Sequence, residues 1–398
     1  MKIIKGVNFI LALIFLTGCS VDDKKTETES KEYYNLEAEL TEIGNIIENK
    51  DIVIIGESTH WSEEIAEEKM QLIDYLAEEQ DFNKLFLETP DSEFNYYQKS
   101  EMTMKDGVNY QYKQELFSDV INGTHENITT LPMDWTPLFS ENSPTAVSVL
   151  EENITEEISE YNQELAEEFK RSEYAYRDWF SKGMYLNQSV GNFEREEDVY
   201  QVIQDETFFK ELSESSQNYI VSRYENIEKY ASNINFDNAM IDYYDYREIG
   251  MADKVLSQMK NGDRAIVWVA NGHSNYEVAD VEHTNEIFIS ERRDERTESL
   301  GALLRDSQYD VYNIGLYYNE ADSYQLLPDH PGTPRKTGDE SLEGYIGDRV
   351  QKDVFIDFET SDFVEEKLYK AFVVGEYEYN IIPAEQYDGL IYLDQLEN

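Results

Sequence analysis

Two histidines and several acidic residues fall where apolar runs of the chain end. Ile52 to Ile55 leads into Gly56-Glu57-Ser58-Thr59-His60, and Leu85 to Leu87 leads into Glu88. Thr130 to Met133 leads into Asp134, and Ala265 to Ala270 leads into Asn271-Gly272-His273. Imidazole beside carboxylate is equipment for general acid–base work: the ring takes or gives a proton, and the acids fix its tautomer and basicity. Singly, each residue has an ordinary explanation. Glu57 is a candidate helix cap, Glu88 and Asp134 are candidate turn acids, and His60 and His273 are candidate loop or backbone-bonded histidines. Their shared position carries the signal, because the carboxyl ends of parallel strands lie along one edge of a sheet and ligands bind there. His125, His283 and His330 lie in polar segments and read as surface residues.

Two cations accompany the acids. Lys69 follows Ile65 by four residues and precedes Leu72 by three, on the apolar stripe of a helix, and Arg247 lies between Tyr244 and Met251 in the same manner. A cation on such a stripe either reaches solvent along its stem or meets an anion, with Glu57 and Glu88 as candidate partners. Other chemistries are poorly represented. There is no Gly-x-Ser-x-Gly elbow, no His-Glu-x-x-His zinc motif and no phosphate-binding loop, and Ser58 lacks the glycines of a nucleophile turn. What remains is a histidine acting as base on water, with a metal held by His60, His273 and a carboxylate as the other option.

The elements that would position these residues alternate. Continuous apolar runs at Ile52 to Ile55, Leu85 to Leu87, Ala265 to Ala270, Val311 to Tyr317, Val354 to Phe358, Ala371 to Val374 and Gly389 to Leu393 read as strands, and Thr130 to Met133 is a weaker candidate because of Pro132. Ser62 to Glu79 has helical periodicity with Ser62 as N-cap. The pattern predicts an α/β fold with a mostly parallel central sheet flanked by helices. Residues 151–260, rich in Glu, Tyr and Ser, read as a helical insertion covering the carboxyl edge of the strands. Asn319 to Gly347, with three prolines and several glycines, reads as a long loop.

The chain has 398 residues, 84 acidic and 33 basic, for a net charge of −51, and 40% of its residues are hydrophobic. That apolar content supports a packed core, and the charge argues against nucleic acid as a partner. It suits a cationic ligand, or a salty habitat that screens repulsion between like charges. At the N-terminus, Lys2 and Lys5 precede an apolar run from Val7 to Leu16 that is too short to span a bilayer but fits a signal peptide. Leu16-Thr17-Gly18-Cys19 resembles a bacterial lipobox. Residues 1–18 are therefore expected to be a lipoprotein signal peptide, Cys19 the lipidation site, residues 19–34 a flexible tether and residues 35–398 the folded domain. The expected location is the extracytoplasmic face of the cell membrane, held to the lipid bilayer through acylated Cys19. Cys19 is the sole cysteine, so thiolate zinc sites are excluded.

Gly56-Glu57-Ser58-Thr59-His60, then Lys69, then Phe86-Leu87-Glu88 resemble the N-terminal signature of the erythromycin esterase family. Pro132-Met133-Asp134, Arg247-Glu248-Ile249-Gly250-Met251-Ala252 and Val267-Trp268-Val269-Ala270-Asn271-Gly272-His273 resemble its later motifs. The resemblance spans most of Asn45 to Leu393. It implies hydrolysis of an ester or macrolide lactone, and hence antibiotic resistance. It assigns His60 as the base on water, with Glu57, Glu88 and His273 completing the catalytic set. Lys69, Arg247, Asp134 and Trp61 would bind or line the substrate, which is a small ester or macrolide-like molecule, with no cofactor and no metal assigned. The wider superfamily includes haem-binding proteins, so a non-enzymatic haem- or metal-binding lipoprotein using the same histidines is the alternative. Three positions depart from the family pattern: Trp61 replaces the usual glycine after the histidine, Lys69 stands where arginine is common, and Tyr276 stands where the best-known esterases carry another histidine.

Overall fold

The computed structural model describes residues 33–36, 38–59, 62–99, 127–137, 144–185, 196–234, 239–277, 282–283, 299–324, 333–338, 340–374 and 377–396. In chain order the strands are β1 (Tyr34–Asn35), β2 (Ile52–Ile55), β3 (Lys84–Pro90), β4 (Thr129–Asp134), β5 (Ala265–Trp268), β6 (Glu282–His283), β7 (Val311–Tyr324), β8 (Thr333–Lys336), β9 (Val354–Asp357), β10 (Tyr369–Val374), β11 (Tyr377–Ile381) and β12 (Gly389–Leu396). The helices are α1 (Leu40–Ile47), α2 (Glu63–Glu79), α3 (Asp91–Lys99), α4 (Pro144–Ser159), α5 (Gln163–Tyr185), α6 (Glu196–Asp205), α7 (Glu214–Lys229), α8 (Ala239–Gln258), α9 (Asn271–Ser274), α10 (Leu300–Arg305), α11 (Leu342–Val350) and α12 (Pro383–Gln386).

The main sheet runs β1-β9-β12-β7-β2-β5-β3-β4, with β8 paired to β7. From β12 to β4 every pairing is parallel, while β9, β1 and β8 pair antiparallel. The continuous apolar runs follow from burial on both faces. Val53, Ile55, Leu85, Leu87, Ile266 and Trp268 share a core with Ile43 and Ile47 of α1 and with Ile65, Leu72, Ile73 and Leu76 of α2. The alternate residues Ile52, Ile54, Phe86, Ala265 and Val267 pack instead with Met251, Ala252 and Val255 of α8 and Leu300 and Leu304 of α10. Ser62 caps α2 as expected, its hydroxyl accepting from the Ile65 amide.

Four expectations are corrected. Ala371 to Val374 does not extend the central sheet: β10 forms a separate three-stranded sheet with β11 and β6, because a short connection folds β10 and β11 into an antiparallel hairpin. Asn319 to Gly347 is not one long loop. Strand β7 continues to Tyr324, β8 pairs back against it, and Ser341 caps α11 by accepting from the Gly344 amide. The helical insertion starts at Pro144, and its last helix, α8, is no cover: it lies along the sheet face as the connection into β5. The folded chain includes Tyr34, which pairs with Phe355, so residue 34 is not tether. Of the remaining insertion helices, α4, α5 and α7 reach α3 or Trp135, elements that follow the carboxyl ends of β3 and β4, and α6 packs on α5 and α7. Trp135 meets Phe180 of α5 edge-on, and Arg177 of α5 and Arg223 of α7 both pair with Glu93 of α3.

Candidate active site

The parallel pairing brings the carboxyl ends of β2, β5, β3 and β4 side by side, and the polar residues that follow them meet there. Glu57 leaves β2 and accepts two hydrogen bonds on Oε2, from Lys69 Nζ (2.8 Å) and from Trp268 Nε1 (2.7 Å). Lys69 reaches it from α2 and also lies over the Trp268 ring, 4.2 Å from its centroid. The Asn271 amide donates to the Glu57 carbonyl (2.7 Å), which joins the ends of β2 and β5. The Asn271 side chain bridges on to β7, donating to the Leu316 carbonyl and accepting from the Leu316 amide.

Beside this pair stands a second network. Arg247, on α8, donates from Nη2 to Glu88 Oε1 (2.8 Å) and to Asp134 Oδ2 (2.6 Å), with Nε also donating to Asp134 (3.0 Å). The second oxygen of Glu88 accepts from the Ala270 amide (2.9 Å). His273, on α9, has Nδ1 2.5 Å from Glu248 Oε1. Its Nε2 lies 3.3 Å from Glu88 Oε1 and 3.2 Å from Arg247 Nη1. With a proton, Nε2 donates to Glu88; without one, it accepts from Arg247.

Charge in a buried site follows from these partners. Burial pulls the Lys69 ammonium down from 10.5 to about 8, while the Glu57 carboxylate, with a smaller contribution from Glu88, limits the fall. It remains a cation at neutral pH. Burial likewise pushes the His273 imidazole down, but the carboxylates of Glu248 and Glu88 outweigh burial and the opposing Arg247 charge, raising it from 6.5 to about 9. Arg247 is held well above its ordinary value despite burial, chiefly by Asp134.

Glu57, Glu88, Asp134, Lys69, Arg247 and His273 are thus brought into adjoining networks. His60 and Trp61 lie outside the described residues, as do Cys19, His125 and His330. Lys69 has no accessible surface, so its partner is Glu57 rather than a substrate. Arg247 engages Asp134 and Glu88, not Glu57. The Ser58 hydroxyl is buried and bonded to no described residue, so none of them activates it as a nucleophile. Tyr276 turns its hydroxyl onto Asp388 (2.6 Å) and stacks under the Arg305 guanidinium. Sequence reading assigned no role to Glu248 or Trp268. Adjacency to Arg247 on one helix is the signal that pointed to Glu248. Among the described residues, no three His, Cys, Asp or Glu side chains are grouped to hold a metal ion.

The chain matches a family model described as erythromycin esterase over residues 143–396, more than half its length. The match includes Arg247, Glu248 and His273. Three solved structures are similar along nearly all of the chain. A Bacillus cereus protein shares 17% identity at a TM-score of 0.59, covering 93% of this chain and 95% of its own. A succinoglycan biosynthesis protein shares 15% at a TM-score of 0.64, covering 96% and 99%. A mutant of the erythromycin esterase EreC in its open conformation shares 14% at a TM-score of 0.57, covering 92% and 98%. At these identities the likeness is one of fold. No curated protein sequence matches the chain significantly.

Proposed function

This chain belongs to the erythromycin esterase family, and from that premise we propose that it hydrolyses an ester or lactone by direct attack of water. The observation that carries this reading is how the site divides between surface and interior. Side chains of Arg247 and His273 keep 12% and 11% of their surface, whereas those of Glu88 and Asp134 keep 3% and those of Lys69 and Glu248 none. An arriving carbonyl therefore meets a cationic edge backed by carboxylates. Addition of water to an ester places negative charge on the carbonyl oxygen, and cations fixed beside that oxygen lower the barrier.

The attacking water must also lose a proton. His273 is already protonated at neutral pH, and Glu88 is occupied by Arg247 and the Ala270 amide. In this proposal His60, three residues beyond Glu57, is the base. It takes the water proton as the new carbon–oxygen bond forms, Glu57 and Glu88 orient the histidine and the water, and Trp61 borders the substrate. The substrate class is a small ester or macrolide-like lactone. One that carries an amine is favoured by the field of 84 acidic against 33 basic residues. Acylated Cys19 would hold the enzyme on the extracytoplasmic face of the membrane.

A haem- or metal-binding role draws no support from His273, whose Nδ1 is bonded to Glu248 and whose Nε2 faces a guanidinium that repels a metal ion. The test of hydrolysis follows the gain of one water by mass spectrometry over a panel of macrolides and simpler esters. Wild type should open at least one of them, and His60→Ala should slow the reaction by about 10²–10⁴-fold. Equal rates for the two proteins, or a wild type inert on the whole panel, would overturn the hydrolase reading.

A further inference from the structure

Adjacent residues on α8 grip the two sides of the site. Arg247 holds Glu88 and Asp134, and Glu248 holds His273. Glu248 has no accessible surface, and both of its oxygens are fixed: Oε1 against His273 Nδ1 at 2.5 Å, Oε2 accepting from the Leu300 amide at 3.0 Å. The Leu300 amide opens α10, so the carboxylate sits at a helix start and cannot swing away without breaking that bond.

We propose that Glu248 is a positioning residue that keeps the His273 ring doubly protonated and fixes its Nε2–H edge beside Glu88 and Arg247, so that His273 is the acid of the site and not a second base. This rests on the hydrolase reading and adds a division of labour to it. The charged groups facing the ring are Glu248 and Arg247 from α8 and Glu88 from β3, with Asp134 of β4 reached through Arg247. Without Glu248, the ring would have one attractive neighbour, Glu88, and one repulsive neighbour, Arg247. These oppose each other, and burial would then favour the neutral imidazole. A neutral ring accepts from Arg247 at Nε2 and has no proton to offer there. With Glu248 in place the ring is a cation whose Nδ1 is taken by Glu248, so the Nε2–H beside Glu88 is the proton this partly accessible side chain has to offer.

In the reaction this proton has a use. As water adds to the carbonyl, the base takes a proton from water while the imidazolium stabilises the oxyanion. As the ester carbon–oxygen bond breaks, His273 gives its Nε2 proton to the departing alkoxide. The base then releases its proton to solvent and His273 regains one, so each turnover consumes one water and leaves the acid and the alcohol.

The test titrates the full protein with ¹⁵N-labelled histidine by NMR, with His273 identified through His273→Gln. In wild type the ring should stay charged up to about pH 9. Glu248→Gln should lower the midpoint by about one unit or more, so at least a tenfold loss of proton affinity. Glu248→Asp keeps the charge and should fall between the two. An unmoved midpoint in Glu248→Gln overturns the inference. Where that variant does not fold, by circular dichroism, a Glu248→Asp midpoint equal to wild type overturns it. The activity arm follows kcat/KM against pH on a hydrolysed ester. The alkaline limb should move down with the NMR midpoint in Glu248→Gln and return toward wild type in Glu248→Asp. A loss that is uniform in pH, with the limb fixed, means a merely structural role and overturns the acid assignment. A wild type inert on all esters defeats the hydrolase reading alone, since the NMR arm still decides what Glu248 does.

Discussion

Glu57 illustrates how a buried carboxylate is partnered in this molecule. Its Oε2 takes one bond from a cation and one from an indole, and the cation in turn rests on that indole's face. Such closed arrangements tolerate little change, because removing one partner strands a charge away from water. His273 lets the same logic be read against pH. Its folded value, about 9, lies above its ordinary 6.5, so the folded chain binds the proton more tightly. The resulting stabilisation is complete below pH 6.5 and is lost as pH rises through 9. Urea unfolding of wild type and His273→Gln should therefore differ most near pH 6, by an amount on the order of 2–3 kcal/mol, and converge toward pH 10. Lys69 works in the opposite direction, its folded value near 8 lying below 10.5, but it is common to both proteins and cancels. At this scale sequence reading found Lys69 and Arg247 because a cation on an apolar stripe is out of place. It missed Glu248 because, apart from its place beside Arg247, nothing sets one glutamate off among 84 acids, and Trp268 because a tryptophan in an apolar strand reads as core.

The elements meet at glycines in two places that matter to the site. A Cβ at Gly56 would run into the Asn271 side chain, and one at Gly301 into the backbone carbonyl of Ser274. The second is the less forgiving, since backbone cannot turn aside. Helix α10 lies against α9 at this contact, and the two carry the Leu300 amide and His273, the two partners of Glu248. Gly301→Ala should push α10 off α9, destabilise the fold by about 1–3 kcal/mol in denaturant titration, and lower the NMR midpoint of His273 as the Glu248 contact loosens. An alanine variant as stable as wild type would show that the helices have room to part. Most strands were legible because burial on both faces leaves an unbroken apolar run. Strand β4 survives Pro132 because it lies at the sheet's edge, where a missing N–H costs no ladder bond. The hairpin partner β11 and the strand β8 were not legible: the first alternates Tyr with polar residues, and the second contains Pro334.

Over the whole molecule, two properties stand apart from the site. The charge of −51 makes the compact state repel itself, and salt relieves this. Among the described residues, no helix is long and apolar enough to cross a membrane; the proposed attachment through acylated Cys19 rests on the lipobox-like sequence and has its own test. Cys19→Ser should move the protein from the membrane fraction to the medium or periplasm on cell fractionation. If the serine variant stays with the membrane, acylation is not what holds it. The order of strands was not legible from sequence. The apolar runs show that strands exist, but nothing local in them shows that β5 lies between β2 and β3.

That placement governs when the molecule can assemble. Both neighbours of β2, namely β5 and β7, are made more than two hundred residues after it. A growing chain thus holds its innermost strand unmatched until the second half arrives, and the rate of first folding is limited by closing that long interval. The site, where Glu88 of the first half meets Arg247 and the Ala270 amide of the second, forms only late in the assembly of a new molecule.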